Sequence, residues 1–189
     1  MDKTKFGDYA EKISFQIKQI DTDLILSLGK SLHKAWTEDR QVFICGNGGS
    51  AANALHIAND LFYGIAKESG KGMRVHAIPA NQSILTCLAN DLSYEDIFSQ
   101  QLKVLGRPGD VLIALSGSGN SPNIVKVIES AKGIGMKAFA ILGYSGGKCL
   151  KLADVPIHFH VDDMQVAEDL QLIVGHMVMQ WLRDNPVIK

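Results

Sequence analysis

Gln41-Val42-Phe43-Ile44-Cys45-Gly46-Asn47-Gly48-Gly49-Ser50 and Val111-Leu112-Ile113-Ala114-Leu115-Ser116-Gly117-Ser118-Gly119-Asn120-Ser121 are the two stretches whose reading decides the fold. Each is a short apolar run that ends in a glycine- and serine-rich loop and passes straight into an amphipathic helical stretch. A strand that turns directly into a helix leaves the first backbone N–H groups of that helix without acceptors, at the positive end of its dipole, which suits an anion. Two such turns aim two helix N-termini at one anion, and Ser50, Ser116, Ser118 and Ser121 add hydroxyl donors. Neither loop carries a P-loop lysine, so the pattern favours a phosphorylated small molecule over a nucleoside triphosphate.

Outward from these loops the same strand, loop, helix rhythm repeats. Gln41–Cys45, Met73–Ile78, Val111–Leu115, Lys137–Leu142 and Val155–His160 read as short strands with helical stretches between most of them, the signature of a parallel sheet and an α/β, doubly wound fold. Pro122 falls just inside the helix after the second loop, where its missing N–H costs nothing, and Gly143, Gly146 and Gly147 open the chain after the fourth strand. Residues 1–38 read as two helices forming an N-terminal extension to a domain over 39–189, with a break at Ile20-Asp21-Thr22 where Asp or Thr can cap the second helix. Leu24, Ile25, Leu28, Leu32 and Trp36 give that second helix one apolar face. The last helix, about Met164–Asn185, is apolar nearly all round, which predicts burial on more than one side and contacts between subunits of a homo-oligomer.

At 189 residues the chain suits one structural domain. Its net charge of −1 and scattered lysines and arginines leave no electrostatic footprint for nucleic acid. Cys45, Cys87 and Cys149 are far apart, in apolar or small-residue settings, and read as reduced thiols. No apolar run reaches the roughly 18 residues that span a bilayer. These features predict a soluble, cytoplasmic protein.

Gly46-Asn47-Gly48-Gly49-Ser50-Ala51 also satisfies the G-x-G-x-x-A dinucleotide fingerprint. A nicotinamide site needs a carboxylate at the end of the second strand, and residues 73–81 contain none, so this reading loses ground. Either loop alone reads equally well as a plain turn; two after separate parallel strands point to a ligand. Among ionisable residues, His56 and Asp60 stand four apart on the helix leaving the first loop and share a face. Glu168 and His176 stand eight apart on the last helix, two turns and about 80° around an ideal helix, within reach of one cleft. Together the four can hold zinc or another divalent ion, or act as a general acid and base, although each alone reads as a structural histidine or a surface carboxylate. His158 and His160 point to one side of a strand and read as strand-end residues.

Gly46-Asn47-Gly48-Gly49-Ser50-Ala51-Ala52, Ala89-Asn90-Asp91, Gly109-Asp110-Val111-Leu112-Ile113 and Ser116-Gly117-Ser118-Gly119-Asn120-Ser121-Pro122 resemble the sugar isomerase (SIS) domain, and most closely the bacterial sedoheptulose 7-phosphate (phosphoheptose) isomerases. The likeness runs over most of the chain with the motifs in order. It implies a flavodoxin-like three-layer αβα sandwich with a five-stranded parallel sheet, flanked by N-terminal helices and a long C-terminal helix. It also implies a homotetramer with active sites at subunit interfaces. Carried onto this sequence, it assigns Ser50, Ser116, Ser118 and Ser121 to the phosphate and places Asn47, Asn90 and Asp91 near the sugar, with Gly48, Gly49 and Gly117 also among the substrate-binding residues.

The same resemblance implies a catalytic and metal-binding set at His56, Asp60, Glu168 and His176, with one Zn²⁺ per subunit. Asp60 or Glu168 is then the base, His176 the acid, and zinc held by His56 with the carboxylates a Lewis acid. Two of these positions depart from the family pattern, in which a glutamate stands at Asp60 and a glutamine at Glu168; Gly117 stands where a threonine is common. The implied reaction converts sedoheptulose 7-phosphate to D-glycero-D-manno-heptose 7-phosphate through a cis-enediol, in heptose and cell-surface polysaccharide synthesis. The alternatives are a non-catalytic tetramer of the same fold, like the DnaA initiator-associating protein, and a sugar-phosphate sensor.

Overall fold

The computed structural model describes residues 3–67 and 70–187. Five strands, β1 (Gln41–Cys45), β2 (Arg74–Ala77), β3 (Val111–Ser116), β4 (Lys137–Leu142) and β5 (Val155–His158), form one parallel sheet in the order β2-β1-β3-β4-β5. Val42 lies opposite both Val75 and Val111, and Phe139 opposite both Ile113 and Val155. Strand β3 is buried along its whole length, which is why it reads as an unbroken apolar run rather than an alternation.

Alternate residues of these strands face two cores. On one side Val42, Ile44, Ile113, Leu115, Phe139 and Ile141 meet α2 (Thr22–Thr37), α3 (Gly48–Phe62) and α8 (Met164–Asp184). On the other, Phe43, Cys45, Leu112, Ala114, Ala138 and Ala140 meet α5 (Ser99–Leu105), α6 (Pro122–Ile134) and α7 (Cys149–Leu152). Helix α4 (Gln82–Asp91) lies on this second side with no buried residue. The result is the three-layer αβα sandwich that the resemblance implies.

Local signals set the borders. Asp21 caps α2 by accepting from the Asp23 amide at 2.9 Å, and Pro122 occupies the first turn of α6. Gly135 closes α6 in the left-handed conformation at φ 87°, a C-terminal stop that L side chains adopt only with strain. Strand β5 is shorter than its sequence signal, ending at His158, because its neighbour β4 ends at Leu142 and Gly143 then bonds to the Gly117 carbonyl. His158 and His160 do lie side by side, with ring centroids 4.1 Å apart.

Helix α8 is buried between α2 and α3, so much of its all-round apolar character is satisfied within the chain. Two glycines permit that seat. A Cβ at Gly175 would stand 2.7 Å from Ile57 Cγ1 on α3, and one at Gly29 on α2 would stand 3.0 Å from the Trp181 ring. Helix α1 (Thr4–Gln19) contributes no fully buried residue; Tyr9, Ile13 and Ile17 pack half-buried against the first core, and polar contacts add to this. Tyr9 donates to Asp169 at 2.5 Å, Lys12 pairs with Asp163 at 3.1 Å, and Gln16 donates to the His160 carbonyl at 3.1 Å.

Cys45 and Cys149 are buried free thiols, and burial pushes the Cys149 thiol up to about 11, which keeps it protonated and inert. Cys87 differs from its apolar sequence setting: it is exposed on α4 and donates to Asp91 at 3.5 Å. No helix among the described residues is long and apolar enough to cross a membrane.

Phe139 is fully buried on β4, an interior strand between β3 and β5. Phe139→Ala should lower stability by about 3 to 5 kcal/mol, read as a lower denaturant midpoint with an unchanged slope in urea unfolding.

Candidate functional site

In this strand order the chain moves outward from β1 to β2 and then returns to the far side of β1 as β3, so the connections after β1 and β3 leave in opposite directions. The carboxyl ends of these two strands therefore border the crevice where open α/β sheets bind ligands. Both glycine- and serine-rich loops lie there, and they enclose a cleft of about 250 Å³. Asn47, Gly48, Gly49 and Ser50 line it from the first loop, and Ser116, Gly117, Ser118 and Ser121 from the second. Met164 and Glu168, from α8, complete the wall with Leu115.

The first loop is built to leave amides free. Asn47 sits at the N-cap of α3 in extended conformation but makes no side-chain cap bond. Its amide is held instead by Asn123, through reciprocal bonds of 2.9 and 2.8 Å, and its Oδ1 also accepts from Tyr94 Oη at 3.1 Å. The turn carrying Tyr94 is braced in turn by Asp96, which pairs with Lys126 at 2.8 Å. Lys126 first, and Ser93 with it, hold the Asp96 carboxyl down to about 2. With Asn47 engaged elsewhere, the amides of the first turn of α3 face the cleft uncapped.

The second loop is a rigid turn. Ser116 Oγ accepts from the Gly119 amide at 3.0 Å, and Ser118 Oγ from the Asn120 amide at 3.2 Å. Gly119 has φ 65° and passes so close to the Gly146 carbonyl that no Cβ fits. Asn120 Oδ1 accepts from the Lys148 amide at 3.1 Å, which ties the loop to the turn after β4. At Gly117 a Cβ would overlap Met164 Sδ, so the glycine at this position and the methionine at the start of α8 fit as a pair. Ser121 stands at the N-cap of α6 without a side-chain cap bond, leaving its hydroxyl for a ligand.

A second group lies farther along the same two helices. His56 Nε2 and His176 Nε2 are 3.0 Å apart, and Asp60 Oδ2 lies 3.4 Å from the first and 3.7 Å from the second. Three ligand atoms at about 2.0 to 2.1 Å from a tetrahedral ion stand about 3.3 Å from one another, so the spacing, like the two imidazoles and one carboxylate, fits a divalent metal with an open position. His56, Asp60 and His176 can thus hold a metal. Asp60 is the more enclosed, its side chain 17% exposed against 50% and 45% for the histidines.

Glu168 is not part of this trio. It stands two turns nearer the start of α8 and lines the loop cleft, because the two turns of helix between it and His176 carry the side chains to different depths along α3. Asn90 and Asp91 are exposed at the end of α4, bonded to each other at 2.8 Å, and do not line the cleft of their own chain. The end of β2 presents no carboxylate, since Ala77 leads into Ile78-Pro79-Ala80, so the dinucleotide reading finds no ribose partner there.

Three residues that sequence reasoning passed over matter here. Asn123 and Tyr94 fix Asn47, and Asn53 joins α3 to α8 by donating to the Glu168 carbonyl at 2.8 Å and to Gln171 Oε1 at 3.3 Å. The one available signal was position: Asn53 is a polar residue on a helix that otherwise buries Ala54, Ile57 and Ala58.

The sequence profile of the SIS domain matches residues 5–143. The phosphoheptose isomerase of Chlorobaculum parvum is 32% identical over 174 residues, which is 91% of this chain and 83% of the relative. That of Vibrio vulnificus is 40% identical over 159 residues, 82% of this chain and 81% of the relative. The solved structure of a phosphoheptose isomerase from Neisseria gonorrhoeae matches with a TM-score of 0.87 at 26% identity, covering 97% of this chain and 96% of its own.

The trio supplies a direct test with cobalt(II), whose visible absorption reports tetrahedral coordination. One ion per chain is expected to bind, and His56→Ala or His176→Ala should weaken that binding about tenfold or more. Cobalt spectra identical for the parent and both variants would remove the metal from this site.

Proposed function

This chain belongs to the SIS domain family and, within it, to the phosphoheptose isomerases, and from that premise we propose that it interconverts sedoheptulose 7-phosphate and D-glycero-D-manno-heptose 7-phosphate in heptose synthesis. The observation that carries the reading is the disposition of two groups along one helix pair: uncapped amides and serine hydroxyls at the start of α3, and the His56, Asp60, His176 trio farther along it. From Ser50 to His56 the helix rises about 9 Å, comparable to an extended seven-carbon chain. A phosphate held by Ser50, Ser116, Ser118 and Ser121 would therefore direct the far end of the sugar, where the carbonyl lies, toward the trio.

The chemistry moves one proton between C1 and C2. Asp60 takes the proton from C1 of the ketose and returns it to C2, while His176 donates a proton to the C2 carbonyl oxygen as the cis-enediol forms and takes one back from the C1 hydroxyl as the aldose forms. Binding energy from the remote phosphate is used to position the reacting carbons. Zinc, which we assign to His56, Asp60 and His176, would when bound take over polarisation of the carbonyl oxygen from the His176 proton, since a coordinated imidazole nitrogen carries none.

We further propose a homotetramer acting in the cytoplasm. Phe6, Phe15, Leu55, Phe62 and Tyr63 are exposed large apolar side chains, which contacts between copies would bury. Asn90 and Asp91 are exposed and outside their own cleft, and we assign them to the sugar in a neighbour's cleft.

An NMR time course of the zinc-loaded protein with sedoheptulose 7-phosphate in D₂O tests the reaction. Deuterium should appear at C2 of a new aldose phosphate, and Asp60→Asn and His176→Ala should each slow it by about 10²-fold or more. Absence of turnover with this and other ketose phosphates would overturn the proposal.

A further inference from the structure

The cleft that we assign to phosphate contains one ionised side chain, and its sign is wrong for the ligand. No lysine or arginine lines it, while Glu168 does. The Glu168 carboxylate lies on the Cα of Gly49, so close that a Cβ there would overlap both of its oxygens. Gly49 is the second residue of α3, so the carboxylate rests against the uncapped first turn. It makes no hydrogen bond or ion pair with any other described side chain. The helix N-terminus is thus what favours its charge at this place, an interaction of known sign. The position is fixed from behind, because Asn53 on α3 donates to the Glu168 backbone carbonyl at 2.8 Å and so sets where along α3 the side chain is directed.

We propose that Glu168 is a built-in occupant of the phosphate cradle, and that its carboxylate must leave the first turn of α3 before a phosphosugar can bind. This rests on reading the cleft as a phosphate site. A phosphate brings nearly two negative charges, and with no cation in the wall a carboxylate a few ångströms away repels it. The same carboxylate stabilises the empty site by partnering the first turn of α3. Glu168 therefore opposes ligand binding while supporting the free protein, and its half-buried, rotamer-rich side chain has the freedom to swing out. In this chain we assign the residue to setting how tightly phosphate is held, since it lines the loop cleft and is not among the His56, Asp60 and His176 group.

The test pairs two readouts that a merely structural glutamate would move together. Inorganic phosphate is titrated calorimetrically into the parent, Glu168→Gln, Glu168→Ala and Ser116→Ala proteins, and each is melted without ligand. Glu168→Gln and Glu168→Ala should bind phosphate about tenfold tighter while melting at a lower temperature than the parent. Equal or weaker phosphate binding in both glutamate variants, with binding lost in Ser116→Ala, would overturn this role for Glu168 and leave the phosphate site standing. Phosphate binding that is undetectable in all four proteins, or untouched by Ser116→Ala, would overturn the phosphate site and the role of Glu168 with it.

Discussion

The architecture of the site follows from backbone amides that the fold leaves without acceptors. Helices α3 and α6 begin immediately after the adjacent central strands β1 and β3, so their first turns converge on one crevice. The residues placed to cap them are otherwise disposed: Asn47 is engaged by Asn123 and Tyr94, and Ser121 makes no cap bond. Pro122 has no amide to satisfy. Leaving a helix end uncapped costs stability, and here the uncapped ends, with Ser50, Ser116 and Ser118, form the donor surface of the cleft. The close approach of Gly119 to the Gly146 carbonyl shows how little freedom the second loop retains.

The pairing of α3 with α8 joins that donor surface to the ionisable trio. Two turns separate Glu168 from His176 on α8, and between one and three turns separate Ser50 from His56 and Asp60 on α3. Each helix therefore contributes to both the anion end and the trio, and their relative register sets the geometry of both. Gly175 against Ile57 and Asn53 against Glu168 and Gln171 hold that register, the first by close approach and the second by hydrogen bonds. A shift of one residue along α8 would displace His176 from His56 and Asp60, which explains why small and polar residues interrupt otherwise apolar helix faces.

The set of elements and the chemistry of the loops were legible in the chain's local pattern. Strands β1 and β4 stand where their apolar runs begin and end, β3 extends one residue into its loop, and the break at Asp21 and the start at Pro122 carry local capping signals. These are legible because hydrophobic periodicity and capping are local properties. His56 and Asp60 were legible as a pair for the same reason, one turn apart on one helix. Their meeting with His176, 120 residues away along the chain, required the packing of α8 on α3. Spacing also grouped Glu168 with His176; tertiary structure sent one to the anion cleft and the other to the trio, because side chains two turns apart on a helix face different parts of its partner. The engagement of Asn47 by Asn123 and the fit of Gly117 to Met164 were likewise decided only in the folded chain, since each depends on contacts between elements whose distance and register no local stretch of sequence specifies.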